Sequence, residues 1–426
     1  MKKRKGSPQS QLTDEQLLDE LQRRAVLYFW DTADPRTGLV KDRASNFAVD
    51  DYTEASTAAT GYGLAALAIG ADHGWLSRSE AETRARDTLQ FLLSMPNQHG
   101  WMLHFVDKRT GQRTWNSEYS SIDTVLLLAG AIVCSEFFSS EDSTNEISVL
   151  VDTLYRRIDW WWMLTNGGAK PEKRILSQGW YPESQFIGYN YGSYSEAILL
   201  YLLGLGAPKN PLPKETWDAI ARPTQIYHDV ASLQGGPIFI HQMPSGFFNF
   251  RNQRDRVGYD YWVSSTNAMN IHRQFCLDRS AEFQTYAEGF WGLNASDGPK
   301  GYTAYGATEE THDGTVSPTG AISSIPFTPI LALSAAQSLY RVQGLWGKYG
   351  FANAFNIDRN WFSRDVIGID LGMALLSIEN YRTGLVWTLM HSFYSSGPAL
   401  RAAGFHLTLE PNPRPVYSPG PDSILK

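Results

Sequence analysis

Glu196 stands between a loop rich in tyrosine and a run of apolar residues, within the stretch 189–206. The helix predicted for that run is apolar on every face and should therefore be buried. A carboxyl group at its entrance, beside Tyr191 and Tyr194, would be shielded from water and would keep its proton near neutral pH, as a general acid must. The alternative is that Glu196 only stabilises the helix, because negative charge is favoured at a helix N-terminus.

Further carboxylates stand at the entrance to predicted buried helices or within them: Glu118, Asp123, Asp370 and Glu379. Hydrolysis of a glycosidic bond uses one carboxylic acid and one carboxylate, so this set supplies candidates. Asp123, one turn into an apolar helix, is better explained as an acceptor of hydrogen bonds within the fold. Glu379 precedes Arg382 by three residues, a spacing that favours an ion pair on one helix face.

Other chemistries find little support in the motifs. The sequence contains no HExxH, GxSxG, P-loop, GxGxxG or CxxC pattern. Residues 50–54, Asp-Asp-Tyr-Thr-Glu, resemble the metal-binding motif of helical terpene synthases, but no second acidic motif follows, and a solvated loop is favoured. Cys134 and Cys276 each lie in an apolar helical run, which indicates free core thiols. We expect neither a metal nor a cofactor.

The composition limits the possible partners. The chain has 426 residues and a net charge of −7, with no block of Lys and Arg inside the folded region, so we expect no nucleic-acid partner. No run reaches the roughly 18 apolar residues of a membrane span. The 14 Trp, 21 Tyr and 20 Phe include many in loops beside Gly, Asn and Ser, where aromatic faces suit flat ligands such as sugar rings. We expect a monomer.

The N-terminus begins with a basic Met-Lys-Lys-Arg-Lys segment, but the apolar stretch of a signal peptide does not follow it. The protein is therefore expected to be cytoplasmic, or periplasmic or secreted if an export signal is missing from this sequence. We further expect a disordered segment at 1–12, a single catalytic domain at 13–410 and a Pro-rich tail at 411–426.

Amphipathic and wholly apolar helices alternate along the chain. Capping boxes at Thr13, Ser77 and Ser143, each with Glu or Gln three residues later, predict the starts of amphipathic helices. Apolar helices are predicted at about 55–71, from 121 and from 196. About six such pairs describe an all-α fold, an (α/α)6 barrel. The loops that enter its inner helices gather at one end, so Glu118 and Glu196 would share a cleft.

The second half of the chain is less regular. Residues 225–259 lack a helical period and predict a small β-containing insertion, with a strand at 237–240. Helices are predicted again at about 260–277, 328–343 and 371–381. The long Gly-rich loop at 291–326 is expected to carry function, because structureless loops of that length are uncommon in compact domains.

Six longer motifs carry a resemblance to a known family: WDTADP (30–35), GLVKDR (38–43), SEYSSID (117–123), GSYSEA (192–197), WGLNASDGP (291–299) and IENYRTGL (378–385). They resemble the glucoamylase-like bacterial family, which includes the endo-β-1,2-glucanases of glycoside hydrolase family 144 and domains of cyclic β-1,2-glucan synthases. The likeness extends from about residue 20 to residue 395. It implies an (α/α)6 barrel that cleaves β-1,2-glucan internally, with inversion at the anomeric carbon.

The resemblance also implies roles for single residues. Glu196 matches the general acid, Glu118 a second cleft carboxylate and Asp370 a third acidic position. The residues after Asp370 are Leu-Gly-Met rather than the family's usual Gln-Gly-Pro, so the base stays open between Glu118 and Asp370. The expected substrate-binding residues are Asp42, Arg43, Trp180, Tyr191, Tyr194, Trp291, His312, Glu379, Tyr381 and Arg382.

Three alternatives to a β-1,2-glucan hydrolase stay open. A transglycosylase would use the same cleft but exclude water from it. Another glucosidase of the glucoamylase type would act on a different linkage. A non-catalytic glycan-binding protein would keep the aromatic cleft without needing carboxylates at positions 118, 196 and 370.

Overall fold

The computed structural model describes residues 12–139 and 145–408. Its helices are α1 (Asp14–Thr32), α2 (Thr57–Asp72), α3 (Arg78–Ser94), α4 (Ser121–Phe138), α5 (Glu146–Arg157), α6 (Trp160–Thr165), α7 (Ile198–Leu205), α8 (Glu215–Asp218), α9 (Phe239–Phe247), α10 (Tyr261–Asp278), α11 (Gln284–Ala287), α12 (Pro318–Ile322), α13 (Pro329–Tyr340), α14 (Gly368–Arg382), α15 (Leu385–Ser392) and α16 (Ser396–Ala403). The predicted tail at 411–426, and the segment 1–12 apart from Leu12, lie outside the described residues.

The strands are short and form small antiparallel sheets. They are β1 (Arg43–Ser45), β2 (Glu54–Ser56), β3 (Met102–Leu103), β4 (Phe105–Asp107), β5 (Tyr119–Ser120), β6 (Gly179–Tyr181), β7 (Gln185–Phe186), β8 (Thr224–Tyr227), β9 (Val230–Leu233), β10 (Gln253–Arg254), β11 (Ala295–Ser296), β12 (Thr303–Ala304), β13 (Trp346–Gly347), β14 (Gly350–Phe351), β15 (Phe355–Asn356), β16 (Trp361–Phe362), β17 (Asp365–Ile367) and β18 (His406–Leu407). Four of them form one sheet in the order β3-β5-β6-β7, and the others described here pair two by two.

Six buried helices close a ring at the centre of the molecule. Along the ring, α2 contacts α4, α4 contacts α7, α7 contacts α9, and α14 contacts α9, α12 and α2. The amide of Gln242 in α9 donates to the Gly320 carbonyl of α12, which joins those two helices. Helices α1, α3, α5, α10, α13, α15 and α16 pack outside this ring. The arrangement confirms the predicted all-α (α/α)6 barrel.

Small residues allow the inner helices α2 and α4 to approach each other closely. A β-carbon added at Gly130 would overlap the carbonyl of Gly61, and one added at Gly61 would overlap the backbone of Leu126. This contact explains why α2 is rich in Ala, Gly and Thr.

The helix starts agree only partly with the predicted capping boxes. The Thr13 box is complete, since Thr13 and Gln16 exchange both of its hydrogen bonds. Ser77 precedes α3, but its side chain makes no capping bond, so the second box is absent. Ser143 lies outside the described residues, and α5 is capped by Asn145, which accepts from the Ile147 amide.

Two predictions for the second half of the chain are wrong. The insertion does contain a hairpin, β8 with β9, but residues 237–240 lead into the inner helix α9 rather than forming a strand. A run of four apolar residues cannot distinguish a strand from a buried helix. The long loop at 291–326 is not structureless either, because it holds the β11–β12 hairpin and α12, whose five residues are too few to show a period.

Helix α4 is long and apolar enough to cross a membrane by length and composition. In the structure 83% of its apolar window is buried among other helices, as for a core helix of a barrel. Both cysteines are buried and free, as predicted.

Candidate active site

A cleft of about 420 Å³ opens at the end of the barrel where the inner helices begin. Residues preceding or starting α2, α4, α7, α9 and α14 all contribute to its wall. The lining residues used below are Asp42, Arg43, His104, Phe105, Trp115, Asp123, Glu196, Phe239, Met243 and Tyr302. The prediction that loops entering the inner helices gather at one end is confirmed.

Glu196 lies in this cleft, two residues before α7 begins. Burial raises the pKa of its carboxyl group to about 7, and the nearby charge of Asp123 adds to the increase. Burial also raises the pKa of Tyr191, and the negative charges of Glu196, Asp123 and Glu118 raise it further. All three carboxylates therefore lie close to the Tyr191 ring. A carboxylic acid that holds its proton near neutrality can donate it to a leaving group.

Glu118 lies beside the cleft and is 19% exposed. Its Oε1 is 3.0 Å from Nδ1 of His104, whose other nitrogen, Nε2, is 3.5 Å from Oδ1 of Asp123. Burial alone would raise the pKa of Glu118, but the hydrogen bond and charge of His104 outweigh it and hold that pKa below its ordinary value. Glu118 is therefore an ionised carboxylate at neutral pH.

Asp370, in the first turn of α14, is almost fully buried. Its carboxylate accepts from the side-chain amides of Asn353, at 2.5 Å, and Asn294, at 3.4 Å. Burial raises the pKa of Asp370 to about 7 despite the Asn353 hydrogen bond, and the charges of Asp297 and Asp42 contribute to the increase.

Arg43 holds a group of carboxylates at the same end of the barrel. Its guanidinium is 3.2 Å from Asp297, 3.4 Å from Asp42 and 3.7 Å from Asp365. Asp42 and Arg43 line the cleft, and their role in substrate binding stays a prediction. Burial raises the pKa of Asp42, although the charge of Arg43 opposes this.

Aromatic side chains form much of the apolar wall. Trp115 is 60% exposed and packs against Phe105 with 5.0 Å between ring centroids. Its backbone has φ of 51°, a conformation that is uncommon for a bulky residue and that is concentrated at functional sites. Tyr302, in the turn between β11 and β12, and Phe239, at the start of α9, complete this wall.

Four predicted residues do not belong to the lining of the cleft. Tyr191 lies among the carboxylates, and Tyr194 is buried behind them, with its hydroxyl 3.1 Å from His241. Trp180 lies in β6 opposite Tyr119, the residue after Glu118. Trp291 is 3% exposed and belongs to the core.

His312 is a core residue rather than a substrate contact. Its imidazole lies edge-on to the rings of Phe275 and Phe283, and its side chain is 6% exposed. The prediction of a cleft role for His312 is therefore wrong. Its place in a Gly-rich loop gave no indication that the loop folds back onto aromatic residues.

Glu379, Tyr381 and Arg382 lie at the opposite end of the barrel. They occupy the last turns of α14, and nine residues separate Asp370 from Glu379, which is about 14 Å along a helix axis. The prediction that they bind substrate in the cleft is therefore wrong, because a helix that begins at the cleft carries its C-terminus away from it.

The predicted ion pair between Glu379 and Arg382 is also absent from this end of the barrel. Glu379 is fully buried and accepts from Gln22, His73 and Thr383. Arg382 donates to the Oε1 atom of Gln22 instead. The two residues are thus linked through Gln22 rather than in direct contact.

His104, Asp297, Asn353, Trp115 and Tyr302 are site residues that the sequence analysis missed. His104 follows β3, and the pairing of β3 with β5 places it opposite Glu118. A histidine flanked by Leu103 and Phe105 has the pattern of a buried structural residue, so only the strand register reveals its partners. Asp297 belongs to one of the recognised motifs, but its contact with Arg43 spans 254 residues.

Two groups of His, Asp and Glu side chains bring three possible metal-binding atoms within 4.8 Å: Asp72, His73 and Glu379, and His104, Glu118 and Asp123. In both groups the imidazole contacts a carboxylate at 3.0 Å or less. Metal binding needs a neutral imidazole, whereas the pKa values of both histidines are raised. Hydrogen-bonded ion pairs account for both groups.

The loop that resembles a terpene synthase motif is also explained by hydrogen bonds. Asp50 is 2.5 Å from the ammonium of Lys41 and accepts from the amides of Ser45 and Tyr52. Asp50 is mostly buried rather than solvated, and it stabilises its own loop.

Comparison with known proteins confirms the resemblance to glucoamylase-like proteins. The Glycoamylase family model matches residues 188–394. The chain is 28% identical over 418 residues to an exo β-1,2-glucooligosaccharide sophorohydrolase (non-reducing end) from Parabacteroides distasonis. That alignment covers 89% of this chain but only 57% of the relative's length.

Solved structures confirm the fold over nearly the whole chain. The endo-β-1,2-glucanase from Chitinophaga pinensis, in complex with sophorotriose and glucose, is 25% identical, with a TM-score of 0.86 over 93% of this chain and 99% of that one. The β-1,2-glucanase from Parabacteroides distasonis is also 25% identical, with a TM-score of 0.84 over 92% of this chain and 60% of that one.

Proposed function

We propose that the chain is a glycoside hydrolase that cleaves β-1,2-linked glucan. The observation that carries this proposal is a pair of glutamates with opposite environments at one cleft. Burial keeps Glu196 protonated near pH 7, whereas His104 keeps Glu118 ionised. Carboxyl groups whose pKa values are driven apart by their surroundings are suited to act as the acid and the base of one reaction.

In the proposed reaction Glu196 donates its proton to the glycosidic oxygen as the bond from that oxygen to the anomeric carbon breaks. A water molecule attacks the anomeric carbon from the opposite face and gives up a proton to a carboxylate. The water oxygen forms the new bond, so the anomeric configuration is inverted. The proton taken from water balances the one that Glu196 gave up.

We assign the base role to Glu118. Asp370, the other candidate, is almost fully buried and both of its carboxylate oxygens accept from asparagine amides, whereas Glu118 is 19% exposed and can be reached by water. An Asp370→Asn variant would then keep part of its activity, whereas Glu118→Gln would lose nearly all of it. The reverse order would transfer the base role to Asp370.

The linkage is proposed from the similarity to β-1,2-glucan hydrolases. One of these relatives is described as exo-acting and another as endo-acting. We propose internal cleavage, as the sequence motifs imply. Release of disaccharide alone from the earliest time points would instead indicate exo action.

The test compares glucans of different linkage with the same purified protein. We expect release of short oligosaccharides from linear β-1,2-glucan and little release from β-1,3-glucan or from α-1,4-glucan. Glu196→Gln should abolish the release, while Glu172→Gln, at a side chain that is 92% exposed, should leave it unchanged. Activity on α-1,4-glucan alone would establish the glucoamylase-type alternative, and products of redistributed length would establish transglycosylation.

A further inference from the structure

We propose that His104 is a positioning residue, an imidazolium that hydrogen-bonds to Glu118, forms an ion pair with Asp123, and holds Glu118 ionised and correctly oriented. This inference rests on the proposed function, because it assigns a role within the same reaction. His104 itself exchanges no proton with the substrate.

Each ring nitrogen of His104 lies next to a carboxylate, an arrangement that favours a proton on both nitrogens. Nδ1 of His104 is 3.0 Å from Oε1 of Glu118, and Nε2 is 3.5 Å from Oδ1 of Asp123. A neutral imidazole offers one N–H donor, whereas the cation offers two. The cation can therefore hydrogen-bond to Glu118 and form an ion pair with Asp123 at the same time.

The ring of His104 is fixed by its backbone and by a neighbouring ring. The His104 amide donates to the Glu118 carbonyl at 2.9 Å, and the His104 carbonyl accepts from the Thr57 amide at 3.1 Å. The ring stacks on Phe105 with 3.7 Å between centroids and 19° between planes. The same segment therefore holds Glu118 through its main chain and through its side chain.

The charges around His104 favour its cationic form. Burial disfavours the cation, but the charges of Asp123, Glu118 and Asp42 outweigh it and raise the pKa of His104 to about 9. Other charged groups act on these partners: Arg113 on Glu118, Arg43 on Asp42 and Glu196 on Asp123. The imidazolium is the cation that contacts both Glu118 and Asp123.

These contacts make His104 a supporting group rather than a direct substrate contact. Both of its nitrogens face carboxylates, and Phe105 covers one face of the ring. Removing it should alter the ionisation and orientation of Glu118, and hence turnover, more than the affinity for glucan.

The kinetic test compares His104→Gln with wild type on linear β-1,2-glucan. We expect kcat to fall roughly 100-fold with KM changed less than about threefold, because a supporting group of the base is lost. The apparent pKa reported by the acidic limb of the kcat/KM profile should rise by about one pH unit, because the neighbouring cation no longer favours ionised Glu118. The matched control is His99→Gln, at a histidine that contacts Asp159 away from the cleft and should change neither quantity.

A loss confined to KM would mean that His104 contacts the sugar and would overturn the proposal. So would an unchanged acidic limb. If kcat falls together with the melting temperature while the pKa of the acidic limb stays the same, His104 has only a structural role.

A second measurement needs neither a folded His104 variant nor any activity. Histidine NMR titration of the substrate-free protein should show His104 protonated well above the ordinary histidine pKa of about 6.5. Glu118→Gln and Asp123→Asn should each lower that pKa. An ordinary pKa in wild type, or one that neither variant moves, would refute the bridge. If the protein cleaves no glucan, the proposed function fails, whereas this titration still decides whether the bridge exists.

Discussion

At the scale of single residues, the chemistry depends on how differently two glutamates are surrounded. Within residues 12–139 and 145–408, Glu196 has no cationic partner and burial raises its pKa, whereas Glu118 has an imidazolium 3.0 Å away. In the proposed mechanism the same type of side chain therefore acts as the acid at position 196 and as the base at position 118. The pH dependence of the rate should report both.

The first prediction concerns the basic limb of the wild-type pH profile. Glu196 must be protonated to act, and its pKa is about 7, so kcat/KM should fall as the pH rises above 7. Glu196→Gln should lose roughly 10²- to 10⁴-fold in kcat while retaining glucan binding. Initial rates between pH 4 and pH 10 provide the check, and a wild-type rate that stays constant up to pH 9 would contradict the assignment of Glu196.

Trp115 provides a second prediction, because its exposed ring at the cleft is suited to stacking against a sugar. We expect Trp115→Ala to raise KM roughly tenfold, which corresponds to about 1.4 kcal/mol, with kcat changed much less. Calorimetric binding of oligosaccharide to Glu196→Gln, with and without the Trp115 change, measures this directly. Trp161→Ala removes a 41%-exposed indole outside the cleft and serves as the control. Equal affinity of the two proteins would exclude Trp115 as a sugar contact.

The sequence identifies Glu196, the proposed acid, more readily than the residues that support the site. Glu196 is identifiable because a tyrosine-rich loop and an apolar helix meet at it, and both features are local. His104 meets Glu118 only because Leu103 pairs with Tyr119 across two short strands. Glu379 belongs to one of the recognised motifs and was therefore predicted to bind substrate. In the structure it lies at the far end of α14, in a buried hydrogen-bond network with Gln22 and His73.

At the scale of secondary-structure elements, the site exists because inner helices of the barrel begin at one end. Alternation of apolar and amphipathic helices made this predictable in the first half of the chain. It failed at α9 and α12, where an inner helix is short and contains proline or begins with it. Burial by neighbouring helices, rather than local periodicity, determines these two elements.

The close approach of α2 and α4 gives a third prediction. Gly130→Ala should destabilise the protein by about 2 kcal/mol, because the added methyl group would overlap the Gly61 carbonyl and force the two helices apart. Gly188→Ala is the matched control, since a β-carbon there meets no atom within 4 Å. Denaturant unfolding of both variants measures the difference. Equal stability of the two would show that α2 and α4 can separate at little cost.

At the scale of the whole molecule, buried acids link catalysis to stability. The folded-state pKa of Glu196, about 7, lies above its ordinary value of 4.5. Its contribution to stability is therefore fully present below about pH 4.5 and is lost as the pH rises through 7. A protein that keeps a buried acid ready for catalysis is less stable at alkaline pH for that reason.

The fourth prediction follows from this linkage. Glu196→Gln removes the ionising group, so it should unfold at a higher temperature than wild type at pH 8, with a stability gain of roughly 3 kcal/mol for a pKa raised from 4.5 to about 7. The gain should disappear towards pH 4, where the wild-type carboxyl group is protonated in both states. Thermal unfolding across this range provides the check, and a difference that does not depend on pH would mean that Glu196 titrates normally.

The measurement that tests the central claim most directly is the anomeric configuration of the first products from linear β-1,2-glucan, followed by proton NMR at early times. The proposed acid and base at one cleft predict short oligosaccharides that appear first as the α-anomer and only later equilibrate. They also predict no product from Glu196→Gln. First products in the β-configuration would contradict direct attack by water and indicate a covalent intermediate, and undiminished activity of Glu196→Gln would contradict the assignment of the acid.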